Sequence, residues 1–462
     1  MNPHSYRLCQ TNWNQTKNKV INIKTKPIDT DWDWLVQDYR VHSSIYISDS
    51  IFAQEMSHIF AATWVYMLHE SEIPNVGDFR KVWMGSREFI ATRDDNGEVN
   101  LFANRCSHRG ATVCREHQGN GSGFTCPYHG WKYDNQGQLF GIPGKTAYGP
   151  QFKKRELHLA RPAQLASYKG FVFATLNPDA PPLEEHLAGA RRFMDEWIDH
   201  QGGAENIQVA GAQRFQLECN WKMVYDNAGD GYHVPFSHQS LLMMTNERYG
   251  GGDMSYFADA DRSNMPLYSL GNGHTVIDQR PDMFHKSAWE QQRPQPGREN
   301  FEAHVHAATA PDKVKATLES AVGAGMNLNI FPNLLLIGNQ IQVIQPMRAA
   351  TTTMHWYATR RKDADTELNT IRMRTQEDFP VMGEMDDATN FEECHRGMAI
   401  SPEDEWIDIS RHSETGKDIE NDDGLVVGPV TSELHMRAYY TQWKQLMKSN
   451  PTLIVDKSKV SA

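Results

Sequence analysis

The chain has 462 residues, with 46 Lys and Arg against 58 Asp and Glu, for a net charge of −12 with His neutral. That length supports two or three domains with large buried cores, and an acidic balance without a basic block argues against nucleic acid as a partner. No apolar stretch approaches the ~20 residues that span a bilayer, and the polar opening Met1-Asn2-Pro3-His4-Ser5 lacks a signal core, so a cytoplasmic protein with no membrane partner is expected. The cysteines Cys9, Cys106, Cys114, Cys126, Cys219 and Cys394 show no pairing pattern, as suits a reducing compartment.

Residues 1–40 are read as an N-terminal segment. From Ser50 to Trp64 the apolar residues Phe52, Met56, Ile59, Phe60 and Trp64 recur at near-helical spacing, which predicts an amphipathic helix. Turn signals at Pro74, Gly77 and Asp95-Asn96-Gly97 then separate short runs such as Phe89-Ile90-Ala91-Thr92 and Val99-Asn100-Leu101-Phe102, the pattern of a small β domain.

Two loops in that domain carry metal-ligand chemistry. Cys106-Ser107-His108 and Cys126-Pro127-Tyr128-His129 are separated by 17 residues, and each offers one thiolate and one imidazole. Both sulfurs on one iron and both imidazoles on the other is the ligation of a Rieske [2Fe–2S] cluster, in which neutral histidines raise the reduction potential. A structural Cys2His2 zinc site is the alternative, but such sites pair like with like, whereas here each loop mixes the two. Gly110, Gly130 and Pro127 supply the backbone freedom and rigidity that tight loops require. Cys114 is assigned to buried filler. The β domain is expected to close near residue 165, before the strand-like Gly170-Phe171-Val172-Phe173-Ala174.

Pro181-Pro182 opens a predicted helix with Leu183, Leu187, Ala190, Met194 and Trp197 on one face. At 220–238 the chain reads Asn220-Trp221-Lys222 through Asn227, Asp230 and His233 to His238. Two histidines five apart, with a carboxylate three residues before the first, supply two ligands of a 2-His-1-carboxylate iron site. Five is not a one-face helical spacing, and Pro235 disfavours an uninterrupted helix, so a helix end followed by a broken turn is expected. Two unrelated surface or core histidines are the plainer alternative for this segment taken alone. Residues 284–320, rich in His, Gln, Pro and charge, read as a cover or an interface. Segments 334–344 and 351–358 read as neighbouring antiparallel strands. Irregularly alternating helix and strand runs predict an α+β class, with an all-β cluster domain and a larger domain whose antiparallel sheet is flanked by helices. Met223, Ala228, Leu334, Leu335 and Met382 are candidate pocket walls, although core packing explains each equally well.

With both motifs in one chain, the sequence resembles the large (alpha) subunit of Rieske-type aromatic-ring-hydroxylating dioxygenases along essentially its whole length. The resemblance rests on His69-Glu70-Ser71-Glu72-Ile73-Pro74, the paired Cys/His loops, Asn220-Trp221-Lys222 and a C-terminal helix from Arg437 to Trp443. The spacing of Asn227 and Asp230-Gly231-Tyr232-His233-Val234 looks closest to the benzoate, anthranilate and salicylate group. It implies domains at 1–40 (packing on the catalytic domain), 41–165 (Rieske) and 166–462 (catalytic). It also implies that Cys106, His108, Cys126 and His129 hold the cluster, and that His233, His238 and Asp387, the second acid of Asp386-Asp387, hold a mononuclear Fe(II). Asp378, Glu384 and Glu392 are the rival acids for the third position.

Asn227 and Asp230 are the catalytic candidates, Asp230 standing between the cluster of one subunit and the iron of the next. The implied reaction uses O2 to cis-dihydroxylate an aromatic ring, with aromatic carboxylates as the narrower substrate class. A Rieske monooxygenase or a plain Rieske electron carrier are the alternatives. No G-x-G-x-x-G nicotinamide fingerprint is evident, so electrons from NADH would arrive through a separate reductase, with or without a ferredoxin. The assembly implied is α3β3 with a small β subunit, or an α3 trimer. The frequent family Arg before Pro is Gln345 before Pro346 here, a departure at the position that would suit a carboxylate.

Overall fold

A computed structural model describes residues 21–22, 30–240, 243, 264–281, 288–291, 296–401 and 405–457. The first β body is built on the meander Asp78–Met84, Arg87–Arg93 and Val99–Ala103, closed on its other edge by Gln118–Asn120. The predicted runs at 89–92 and 99–102 lie inside two of these strands. A second small sheet orders Leu139–Gly141, Lys132–Tyr133 and Phe124–Thr125, and the two enclose a core of Ile90, Phe102, Phe124, Trp131, Tyr133 and Leu139 that also holds Cys106, Cys114 and Cys126. Cys114 is indeed filler, its thiol turned to Glu116 O.

The larger body is a nine-stranded antiparallel sheet. Its order is Ile207–Leu217, Thr351–Arg361, Gln340–Arg348, Leu334–Ile337, Met326–Ile330, Thr275–Asp278, Pro266–Ser269, Val426–Pro429 and Ile419–Glu420. The helices Ala190–His200, Trp221–Ala228, Thr366–Met382, Glu384–Ile400 and Leu434–Lys448 flank it. The α+β class and the split between an all-β unit and a sheet-and-helix unit therefore hold.

A third sheet joins the two bodies. Val65–His69 pairs with Phe171–Thr175, which pairs with Gln164–Tyr168, so residue 165 falls within a strand of a continuous hairpin. Tyr66, Phe171 and Phe173 from this sheet pack against Leu187, Met194 and Trp197 of the larger body. Asn333 seals the seam, accepting from Tyr66 N at 3.0 Å and donating to Tyr66 O at 2.9 Å. Of the N-terminal segment, the described part includes Trp32, whose ring meets Trp443 edge-on at 5.5 Å.

Three predicted elements are corrected. The helix expected from Ser50 to Trp64 spans Asp49–His58. Its end is closed by Glu55 O, which accepts both Ile59 N and Phe60 N, and Ile59, Phe60 and Trp64 are buried beyond it by tertiary packing. The helix from Leu183 is two, Leu183–Leu187 and Ala190–His200, broken at Ala188 (φ 45°) and Gly189. Gly189 N donates to Leu270 O, and a Cβ there would lie 3.0 Å from that carbonyl. All five predicted facing residues are nevertheless buried. The run 334–344 is two paired strands, turning at Gly338 (φ 59°) and Asn339; its second half pairs with Thr351–Arg361 as expected. Within 284–320 the described parts form the helices Ala288–Gln291, Arg298–Ala308 and Val314–Glu319, which share a small core with Leu368 and Ile371.

Candidate metal centres

The two Cys/His loops have the same backbone plan. Cys106 O accepts from Gly110 N and Cys126 O from Gly130 N, both at 2.9 Å, while Cys106 N donates to Ala111 O and Cys126 N to Trp131 O, both at 2.8 Å. Gly110 (φ 80°) and Gly130 (φ 68°) take the left-handed backbone that closes each turn. Asn104 braces the first loop, its Oδ1 accepting from Val113 N and Cys114 N and its Nδ2 donating to Cys114 O. Cys106 and Cys126 are buried and free of disulfides, whereas His108 and His129 reach the rim with ring centroids 4.5 Å apart. His108 stacks on Trp131 at 4.8 Å and 6°, and its buried Nδ1 has no hydrogen-bond partner. Two inner thiols, two outer imidazoles and an orphaned ring nitrogen suit a two-iron cluster with its histidine iron outward.

The second centre begins at the helix Trp221–Ala228. Asn220 Oδ1 caps it by accepting from Lys222 N at 3.1 Å, worth about 1 kcal/mol. Trp221 Nε1 and Lys222 Nζ both bind the carboxylate of Glu55, at 2.9 and 2.6 Å, and Trp443 Nε1 adds a third donor at 2.8 Å. The Asn-Trp-Lys signature is thus a cap followed by two anchors. After a turn comes the short helix Val234–Ser237, with Pro235 in its first turn, where its missing N–H costs nothing. His233 and His238 flank this helix as its two caps, which explains the spacing of five.

Their rings lie 5.4 Å apart and converge on Asp387, from the helix Glu384–Ile400. Asp387 Oδ1 is 3.5 Å from His233 Nε2 and 3.2 Å from His238 Nε2, and it makes no hydrogen bond. One ligand atom from each of the three residues lies within 4.8 Å of the others. A carboxylate and two imidazoles gathered in a largely buried place are the donor set that a cation such as Fe(II) would satisfy.

Each histidine has a carboxylate behind it. Asp230 Oδ2 stands 3.5 Å from His233 Nδ1, and its Oδ1 accepts from Tyr232 N at 2.5 Å. Asp386 Oδ2 stands 3.4 Å from His238 Nδ1. Burial alone would lower the pKa of His238, but Asp387 and Asp386 outweigh it and raise the value. Asn227 contributes its carbonyl to the turn, accepting from Asp230 N at 3.1 Å.

Of the rival acids, Glu392 accepts from Glu218 N, and Glu384 is buried, which pushes its carboxyl pKa well up. The side chains of Asp378 and Met382 lie outside the described residues. Met223, Ala228 and Leu335 share one core, whereas Leu334 faces the other side of the sheet and packs in a separate core. Unforeseen was the buried cluster at Asp226, whose carboxylate accepts from Tyr46 and Tyr439 hydroxyls. An acid four residues after Lys222, on the buried side of a motif helix, was the signal available.

A cluster-binding β domain and a 2-His-1-carboxylate pocket in one chain define a Rieske non-haem iron oxygenase, an oxidoreductase. Residues 204–449 match the ring hydroxylating alpha subunit catalytic domain and residues 63–168 the Rieske [2Fe-2S] domain, and the chain belongs to that ring-hydroxylating alpha-subunit family. It is 32% identical to the 2-halobenzoate 1,2-dioxygenase large subunit of Burkholderia cepacia over 89% of this chain and 90% of that one. It is 31% identical to the anthranilate 1,2-dioxygenase large subunit of Acinetobacter baylyi, covering 88% and 89%. Among solved structures, naphthalene 1,2-dioxygenase with indole bound superposes with a TM-score of 0.75 at 26% identity, covering 91% of this chain and 96% of that one. The family carries a [2Fe–2S] Rieske cluster and a mononuclear iron. Among the described residues no helix is long and apolar enough to cross a membrane.

Proposed function

We propose that this chain is the large subunit of a multicomponent oxygenase that cis-dihydroxylates an aromatic carboxylate. The observation that carries the reading is the meeting of His233, His238 and Asp387 in the same chain as the paired Cys/His loops. In this reading Cys106, Cys126, His108 and His129 hold the cluster, and the other three hold Fe(II). When bound, the cluster supplies single electrons and the mononuclear iron supplies O2 activation.

The protein's own residues orient these groups. A proton on His233 Nδ1 faces Asp230, which leaves Nε2 for the metal; Asp386 does the same for His238. Asn227 fixes the turn that presents Asp230. Asp230 then stands as the link to the cluster of a neighbouring subunit, so the working form is an oligomer, α3β3 or α3, in the cytoplasm. NADH electrons arrive through a reductase, with or without a ferredoxin. The domain division at 1–40, 41–165 and 166–462 belongs to the same reading. Support for the substrate class comes from relatives named for halobenzoate, toluate and anthranilate. Gln345 is committed to His355, its Oε1 lying 2.7 Å from the ring Nε2, so a carboxylate would be held by other groups.

A screen with a matched reductase tests this, comparing benzoate-type acids with naphthalene and biphenyl and reading products by mass and stereochemistry. A cis-diol from an acid is expected; diols only from uncharged rings overturn the carboxylate assignment, and a singly hydroxylated or demethylated product replaces dihydroxylation by monooxygenation. Iron analysis is expected to give about three irons per chain. Two would leave an electron carrier, and none would sink the reading.

A further inference from the structure

The C-terminal strand Ile454–Asp456 pairs with Arg161–Pro162 beside the cluster domain. The next residue, Lys457, reaches into the first cluster loop, where Nζ donates to Ser107 Oγ at 3.1 Å. Ser107 lies between the two ligands of that loop. Its hydroxyl donates onward to His158 O at 2.8 Å, so its oxygen is free to accept from the ammonium.

The same serine ties the charge to the cluster wall. Ser107 N donates to Tyr133 OH at 3.2 Å, and that hydroxyl lies 3.3 Å from Cys106 Sγ. Once the sulfur is a metal-bound thiolate it has no proton, so the tyrosine must be the donor. Lys457 forms no ion pair among the described residues. Burial and Arg105 lower its pKa, while Cys106 raises it. A partly buried cation without a counter-ion is costly unless a negative charge appears nearby.

Reduction supplies that charge. Two ferric irons, two sulfides, two thiolates and two neutral imidazoles sum to zero, and one electron from the reductase leaves the cluster with a single negative charge. Net charge and hydrogen bonds to the sulfurs are what set such potentials.

We propose that Lys457 is a positioning cation that sets the cluster's reduction potential, holding the reduced state in place through the Ser107 and Tyr133 contacts. The proposal rests on the cluster residing in these loops, which iron and sulfide analysis of the unaltered protein checks separately. A unit charge removed at this range shifts the reduction equilibrium about three- to tenfold, which is a fall of about 30 to 60 mV for one electron.

The test is redox titration of the purified full chain, with cluster content from iron, sulfide and visible absorption, for Lys457→Gln, Lys457→Met and Lys457→Arg. Expected are full cluster content throughout, a lowered midpoint in the Gln and Met variants, and a restored midpoint with Arg. An unchanged midpoint in an intact Gln or Met variant overturns the proposal. Loss of the cluster in both neutral variants but not in Arg also overturns it, because Lys457 would then be a structural strap.

Discussion

At the residue scale, two acids are asked to do different things around one proposed iron site. Asp387 is the proposed third ligand, so Asp387→Ala should reduce iron from about three to about two per chain while the cluster's visible absorption persists. Loss of the cluster as well would mean that the replacement unfolds the protein. Asp230 touches the site only through His233 Nδ1. Asp230→Asn should therefore retain all the iron yet stop oxidation of the reduced cluster when substrate and O2 are added, which a stopped-flow absorbance trace reads directly; a normal trace would remove Asp230 from the electron path.

At the scale of elements, the helix Trp221–Ala228 sets the turn that carries Asp230 and His233. Its C-terminal end is pinned by His435, whose Nε2 donates to Tyr225 O at 2.6 Å and whose Nδ1 meets Thr275 Oγ1 at 2.6 Å. Gly229 lies under that ring, and a Cβ there would overlap it. Because the ring is held on both sides and cannot swing away, Gly229→Ala should cost about 1–3 kcal/mol in denaturant unfolding, as overpacking does, and should weaken iron retention by displacing Asp230 and His233. The same helix carries Asp226. Desolvation pushes its carboxyl pKa up to about 7, with the hydroxyls of Tyr439 and Tyr46 pulling the other way. The folded state therefore holds a proton that the unfolded chain releases near pH 4, so this group's contribution is present at low pH and lost as pH rises towards about 7. Asp226→Asn keeps the uncharged form, and its Tm relative to the unaltered protein should rise between pH 4.5 and pH 8. A constant offset across that range would refute the assignment.

At the scale of the whole molecule, the cluster domain is fastened to its own catalytic body along a seam of polar contacts. Tyr66 and Asn333 lock the seam, Arg80 spans it from Glu72 at 2.9 Å to the Tyr357 hydroxyl at 3.4 Å, and Ser71 Oγ accepts from Val209 N. The proposed electron delivery across subunits predicts complementation. A Cys106→Ser chain, lacking the cluster, and an Asp387→Ala chain, lacking the iron, should each be inactive but regain turnover when co-expressed and assembled together. Activity absent from verified mixed oligomers would place the electron path within one chain.

Much of this was written locally. The Cys/His loops were legible because each ligand pair is separated by one or two residues, so chemistry and backbone turn are encoded in the same few positions. His233 and His238 were legible from their local spacing, but Pro235, read as a break between them, instead lies in the first turn of the short helix that they cap. Elements whose limits depend on packing were not. The helix from Asp49 stops at His58, and the Leu183 helix breaks at Gly189 against Leu270, although their apolar spacing runs on unbroken.

By itself, then, the sequence marked the candidate metal-binding groups, Asp387 included, together with the class of fold and the family. Only the tertiary structure decided which partners those groups meet: both histidines against Asp387 Oδ1, Asp386 behind His238, Glu55 beneath Trp221 and Lys222, and Lys457 beside Ser107. The physical reason is that spacing fixes geometry over a turn or two of backbone. Side chains 150 or 350 residues apart meet only when apolar faces are buried together.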